Sequence, residues 1–375
     1  MISLEAPPAP DAAFALSGWT CSSLTPQVVW NAGLRVIQAQ LDGRVTRRAW
    51  VLVDGEPDPA PELMPRTDGS EDFRRWFSRV RASRSPDTPI LLYVRDIVSC
   101  DRSFYEIVLS AVRGLPGADL LPRHGSDVEF FCGDYQRTPG GIHREYCSNR
   151  HLVLAGAKSM HFWTGQAWIP EDAGRMVNDG PFQGTEEEYL SSLGGQEEDV
   201  RASLTAAAGQ AFLWDNGVWH VGETHGLAFA VNISSFMSSY DAAERAFPLE
   251  VSPAGEVSPA WLAAFSAYLG RRTDRDTALA VASAHGITGA EPVRSAATPS
   301  SRVRSATHAR ILWCRDGHEV IVATHGKAIR FPATVGEWLR EAASLPAGAA
   351  CDVPDEEEIG RLAAWLVGNS AFCPA

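Results

Sequence analysis

The chain has 375 residues, 45% of them hydrophobic and 12 of them Trp, enough for a sizeable core and for more than one compact unit. Its formal net charge of −13 argues against a general nucleic-acid binder, which needs a basic footprint, and no run of about 18 apolar residues is present to cross a membrane as a helix. The seven cysteines (21, 100, 132, 147, 314, 351, 373) are scattered without a C-x-x-C pair, which speaks against a zinc cage or disulfide framework and for a reducing, cytoplasmic setting.

Residues 1–18 lack a basic n-region and a continuous apolar h-region, so no signal peptide is expected. "RRAWVLVDG" (47–55) and "TPILLYVRDI" (88–97) are rich in Val, Ile, Leu and Tyr between turn residues and predict strands. Between them "SEDFRRWFSRVRAS" (70–83) carries Phe73, Trp76, Phe77 and Val80 at helical spacing, with Ser70 as N-cap. "RSFYEIVLSAVRGL" (102–115) predicts a second helix, stopped near Gly114 and Pro116.

From 128 to 238 short apolar runs follow one another: "VEFFCGDY", "RHLVLAG", "SMHFWTG", "AFLWDNG" and "LAFAVNISSF". Gly, Asn and Asp punctuate them, the pattern of an all-β sandwich or barrel. A polar excursion at 170–200 contains "TEEEYLSSL", read as a short helix. Farther on, "SPAWLAAFSAYLG" (258–270) has Ser258 as N-cap, Pro259 at the first helical position and Gly270 as a stop. "DTALAVASAHG" (276–286) repeats the logic with Asp276 as cap, and 287–307 reads as a linker. "RILWC", "EVIVA" and "KAIRF" then predict three strands, followed by helices at 334–345 and 355–368, a small winged-helix-like unit. Over 296–375 eight Lys and Arg stand against nine Asp and Glu, a poor balance for DNA binding.

The chemistry concentrates in "GGIHREYCSNRHLVLAGAKSMHFW" (140–163). Side chains two apart on a strand share a face, so His143 and Glu145 present a nitrogen and an oxygen to one point. His220, in "GQAFLWDNGVWHVGE", is the candidate for a third ligand at a strand start, distant in sequence as expected where barrel strands meet around a cavity. Two His and one carboxylate leave three positions of an octahedral ion open, the arrangement of non-haem Fe(II) oxygenases, whereas a structural zinc site closes with a fourth ligand that is not evident here. Lys158, across Gly156 from the preceding strand, is an ammonium that needs an anion if it lies inside a barrel. The far carboxylate of a metal-chelating 2-oxo dicarboxylate would supply one.

These motifs, with "RTPGGIHRE" and "LAFAVNIS", resemble over about residues 128–238 the JmjC/cupin-like 2-oxoglutarate and Fe(II)-dependent oxygenases. The resemblance implies an α+β chain: a double-stranded β-helix (jelly-roll/cupin) catalytic core with flanking helices in a domain at 1–245, a helical segment at 246–290 that dimerises in the ribosomal-oxygenase branch, a linker at 291–307 and a winged-helix-like domain at 308–375. It implies Fe(II) on His143, Glu145 and His220, and Lys158 on the 2-oxoglutarate C5 carboxylate. Asn149, Asn232 and Thr138 would lie near the cosubstrate, with Tyr135 the alternative to Thr138 for a cosubstrate hydroxyl, and Tyr135 and Trp219 would line the substrate pocket. Two departures stand out: Glu145 replaces the Asp of many relatives, and Gly140 stands where some have a cosubstrate-binding Thr. The implied reaction is hydroxylation of an amino-acid side chain of a peptide or protein, with succinate and CO2 as co-products and without nucleic-acid or membrane partners.

Competing readings are a metal-binding cupin or enzyme acting on a small molecule without 2-oxoglutarate, a JmjC-type demethylase, and a regulator whose tail reads DNA. His151 and His161, on the same strands, read as packed or surface groups.

Overall fold

The structure, a computed structural model, describes residues 3–4, 14–113, 120–138, 141–163, 173–177, 186–190, 202–237, 246–270, 273–287, 289, 301–306 and 310–374. It divides into two compact units, one of Ile2–Asp101 with Ser126–Arg245, the other of Arg102–Gly125 with Ala246–Ala375. Segment 102–125 therefore belongs with the C-terminal residues, where the sequence alone put it in the N-terminal domain.

Among the described residues the first unit holds two antiparallel sheets. The larger runs in spatial order Ser3–Leu4, Phe14–Thr20, Gln210–Trp214, Cys147–Ala155, Ala228–Phe236, Ser126–Asp134, Ile90–Val94, Ala49–Val53 and Glu56–Pro57. The smaller runs Ala173–Val177, Glu186–Leu190, His143–Glu145, Trp219–Thr224, Ala157–Trp163 and Ala202–Ala207. Strand Glu186–Leu190 corrects the helix expected there. Its backbone pairs with Ala173–Val177 on one side and with His143–Glu145 on the other, and that pairing overrides the local helix preference of a Glu run.

The central strands of the larger sheet are buried along nearly their whole length because both faces are covered. On one face lie the helices Pro26–Leu41 and Phe73–Ala82. Thr25 Oγ1 caps the first, accepting from Val28 N, and Asp72 rather than Ser70 caps the second, accepting from Arg75 N. Trp30 sits 6.0 Å from Trp76, 6.2 Å from Phe130 and 6.3 Å from Phe229 between ring centroids. Gly33 permits that approach, since a Cβ there would lie 2.1 Å from Phe130 Cε1. On the other face Val153, Phe212 and Trp214 of the larger sheet share a core with Met160, Phe162 and Ala206 of the smaller. The site lies along this inner layer.

In the second unit a meander of Ile311–Asp316, Glu319–Thr324 and Lys327–Pro332 is covered on both faces. Leu312, Cys314, Ile321 and Ala323 pack against Trp261, Leu262, Phe265 and Leu279 of the helices Pro259–Leu269 and Arg275–Ser283. Trp313, Val320, Val322 and Phe331 point the other way, toward Trp338, Leu339, Leu362 and Leu366 of Gly336–Ala343 and Glu357–Gly368. The helical segment and the tail thus build on one sheet. Within the stretch read as a linker, Arg302–Ser305 is the central strand between Ala350–Asp352 and Phe372–Pro374. No helix among the described residues is long and apolar enough to cross a membrane.

Candidate metal centre

His143 and His220 are direct partners across adjacent antiparallel strands, which brings their rings to 4.3 Å between centroids. Glu145 follows on the same face as His143. One ligand atom from each of the three lies within 4.8 Å of the others, close enough to hold one metal ion. The orientation of both rings is fixed from behind. His143 Nδ1 lies 2.9 Å from Gly141 O and His220 Nδ1 lies 2.9 Å from Val218 O, so each Nδ1–H donates to a carbonyl and Nε2 is the ring atom left to meet a ligand.

Electrostatics agree with that donor set. Burial, helped by the neighbouring His143, pushes the His220 imidazole down to about 3, so it is neutral at physiological pH. Burial pushes the Glu145 carboxyl up, but His143, His220, the Cys147 thiol and Arg95 together pull it below the ordinary range, and it is a carboxylate. Two imidazole nitrogens and one carboxylate oxygen suit a divalent transition metal such as Fe(II).

Lys158 is 1% exposed and points into the same layer from strand Ala157–Trp163. Its Nζ lies 2.9 Å from His151 Nε2, 4.8 Å from the centroid of Phe131 and 5.5 Å from that of Tyr135. Among the described residues no carboxylate forms an ion pair with it. Burial lowers the ammonium to about 7, against the pull of Glu129 in the opposite direction. Space for the side chain comes from Gly222, where a Cβ would lie 2.9 Å from Lys158 Cε. A buried cation stacked on two rings and lacking an anion among the described residues fits the distal carboxylate of a dicarboxylate such as 2-oxoglutarate.

The other residues singled out by sequence fall differently. Asn149 Nδ2 lies 3.4 Å from Glu145 Oε2, and Asn149 Oδ1 accepts from Asn232 Nδ2 at 2.7 Å and Ser234 Oγ at 2.8 Å. Asn232 Nδ2 also reaches Glu129 Oε1 at 3.0 Å. Both amides therefore belong to a chain running from Glu145 to a second carboxyl group, Glu129, whose acid burial and Asp127 raise to about 7 against the pull of Arg95. Tyr135 supplies a ring beside Lys158. Thr138 pins strand Trp219–Thr224, its N–H donating to Gly222 O at 2.8 Å and its Oγ1 accepting from Gly222 N at 3.3 Å. Trp219 is buried with the Arg144 guanidinium 5.1 Å from its ring centroid, but strand alternation turns it to the face opposite His220, away from the shared ligand point. Gly140 lies outside the described residues.

Four groups escaped sequence reasoning: His151, read as packing but bonded to Lys158; Cys147, whose Sγ donates to Glu145 Oε2 at 3.1 Å; and Glu129 with Tyr93, whose hydroxyl donates to Glu129 Oε2. The period-two alternation of Cys147, Asn149 and His151 along one strand face was the available signal.

No protein-family model and no curated protein sequence matches the chain. Solved structures of Escherichia coli YcfD, a ribosomal oxygenase, are similar to it at low identity. The complex with cobalt and 2-oxoglutarate is 12% identical over 96% of this chain and 94% of that one, with a TM-score of 0.44. A second structure of that oxygenase is 10% identical over the same shares, also with a TM-score of 0.44. The complex with cobalt and succinic acid is 12% identical over 90% of this chain and 97% of that one, with a TM-score of 0.37.

Proposed function

We propose that this protein is a 2-oxoglutarate and Fe(II)-dependent oxygenase that hydroxylates an amino-acid side chain of a peptide or protein. Its two-sheet unit is read as a double-stranded β-helix of the JmjC/cupin type, and the meander with its helices as the winged-helix-like module. The observation that carries the reading is the pairing of a converged His143, Glu145 and His220 with Lys158, a buried cation in the same inner layer without a carboxylate partner among the described residues. Either feature alone has a bland explanation; together they provide for a metal and for a dianion in one place.

His143 and His220 would hold Fe(II) through Nε2 and Glu145 through a carboxylate oxygen. Fe(II) with 2-oxoglutarate and dioxygen supplies the oxidising power for C–H hydroxylation, with succinate and CO2 as co-products. The chain's own part is positional. The carbonyls of Gly141 and Val218 hold the imidazoles, Lys158 pairs the distal carboxylate, and Phe131, Tyr135, Phe212 and Trp214 keep water from that end of the site. A peptide or protein substrate extends the sequence resemblance, and the winged-helix-like module would hold it, in the manner of the small winged-helix modules that hold leader peptides in peptide-modifying enzymes.

Anaerobic titration of 2-oxoglutarate into the Fe(II)-loaded protein tests the reading. A visible charge-transfer band is expected from the wild type and none from His143→Ala, together with succinate release in air that the variant lacks. A folded, iron-loaded wild type giving neither band nor succinate would overturn it.

A further inference from the structure

Glu145 has two oxygens, and among the described residues only Oε2 takes hydrogen bonds. Cys147 Sγ donates to Oε2 at 3.1 Å, and Asn149 Nδ2 approaches the same oxygen at 3.4 Å. The direction of the Asn149 amide is settled by its other end, where Oδ1 takes donors from Asn232 and Ser234. Asn232 is aimed in turn by the Glu129 carboxylate. Cys147, Asn149 and Asn232 are all at most 4% exposed, so water does not compete for these bonds.

We propose that Cys147 and Asn149 are positioning residues that restrict Glu145 to one-oxygen ligation of the metal. This rests on the functional reading above. A six-coordinate ion bound by two imidazoles and one carboxylate oxygen keeps three positions, two for a chelating 2-oxo acid and one for dioxygen. A Glu side chain, longer by a methylene than Asp, reaches the ion with enough freedom to wrap both oxygens around it, and a fourth protein atom would take a position the reaction needs. Donors on Oε2 make that costly, because turning this oxygen to the metal strands the buried Cys147 S–H and takes from Asn149 Nδ2 its charged acceptor, leaving it Cys147 O and Sγ, each at 3.3 Å.

The test uses the full chain loaded with Co(II). Wild type and the Cys147→Ala/Asn149→Ala double variant are compared for Co(II) affinity, for 2-oxoglutarate affinity on the Co(II) form, and for the visible Co(II) absorption bands. Groups that orient metal ligands are worth ~10–100-fold in such equilibria. The double variant is expected to bind 2-oxoglutarate ~10-fold more weakly with Co(II) affinity held or raised and the bands altered, while Cys147→Ser, which keeps a donor, behaves as wild type. If the double variant fails to fold by circular dichroism, Cys147→Ala alone, a loss of one sulfur atom, is read for the same split. Unchanged 2-oxoglutarate affinity, or parallel loss of Co(II) and 2-oxoglutarate, would overturn the clamp alone. A wild type that binds no Co(II), or no 2-oxoglutarate on Co(II), would overturn the functional reading and the clamp with it.

Discussion

Lys158 is where a single side chain costs the resting protein most visibly. A folded value near 7 against the ordinary 10.5 means that between those pH values the folded chain binds fewer protons than the unfolded one. Stability from this group therefore rises with pH across that window, by up to about 1.4 kcal/mol per pH unit, and the burial penalty is fully present below about 7. Lys158→Met is expected to raise the ligand-free melting temperature at pH 7 and to flatten its rise toward pH 10. A slope identical to wild type would mean the ammonium is not held down. The same variant should lose 2-oxoglutarate affinity, and wild-type affinity should fall by up to ~10-fold per pH unit above about 7, as the cation that pairs the dianion titrates away. Isothermal titration in buffers of different ionisation heat would show the proton uptake on binding. His143, Glu145, His220 and Lys158 were legible in the sequence because each chemical type is rare in an apolar strand and their order is informative. His151 and Cys147 were not, because their roles depend on which strands pair and in what register, a long-range fact.

Two glycines separate packing from function at the level of the elements. Gly33 lies inside helix Pro26–Leu41, where Ala would gain up to about 1 kcal/mol of helix propensity. Its Cβ would also meet Phe130 Cε1 at 2.1 Å in a ring locked among Trp30 and Phe229, and such overpacking costs about 1–3 kcal/mol. Crowding wins, and Gly33→Ala should lower the urea midpoint; an unchanged or raised midpoint would show that the aromatic layer yields. Gly222→Ala instead meets Met160 Sδ at 2.8 Å and Lys158 Cε at 2.9 Å, both on flexible side chains. Its melting temperature should move little while 2-oxoglutarate affinity falls, because Lys158 must swing away. Local signals served the helices well. Ser258, Pro259 and Gly270 bound Pro259–Leu269 as expected, and the cap of Arg275–Ser283 moved only from Asp276 to Asp274, whose Oδ1 accepts from Thr277 N. They failed at Glu186–Leu190, where one of the two pairing strands, His143–Glu145, is distant in sequence, and they raised no expectation for Phe14–Thr20, which pairs in the larger sheet with the distant Gln210–Trp214 as well as with Ser3–Leu4.

Across the whole chain, each unit closes its own hydrophobic core, and the sequence threads them unevenly: it enters the second unit at Arg102–Gly125 and returns to the first at Ser126 before completing the second from Ala246 onward. Composition shifts marked the β-rich stretch and the helices after it. They did not show that 102–125 joins the C-terminal residues, nor that Arg302–Ser305 is a strand, since a Ser- and Ala-rich segment looks like a linker until its two partners are known. Two cores imply two calorimetric transitions, because cooperativity follows the packed unit rather than the chain. His143, Glu145, His220 and Lys158 belong to one of them, so on the proposed function Co(II) with 2-oxoglutarate should raise one transition only, by about 2.7 kcal/mol at ligand concentrations 100 times Kd. Trp313→Ala removes a fully buried side chain from the other core, a loss of about 3–5 kcal/mol, and should lower the transition that the ligands leave in place. If ligand and substitution instead move a single common transition, the two cores melt as one cooperative block and the division into independent units fails.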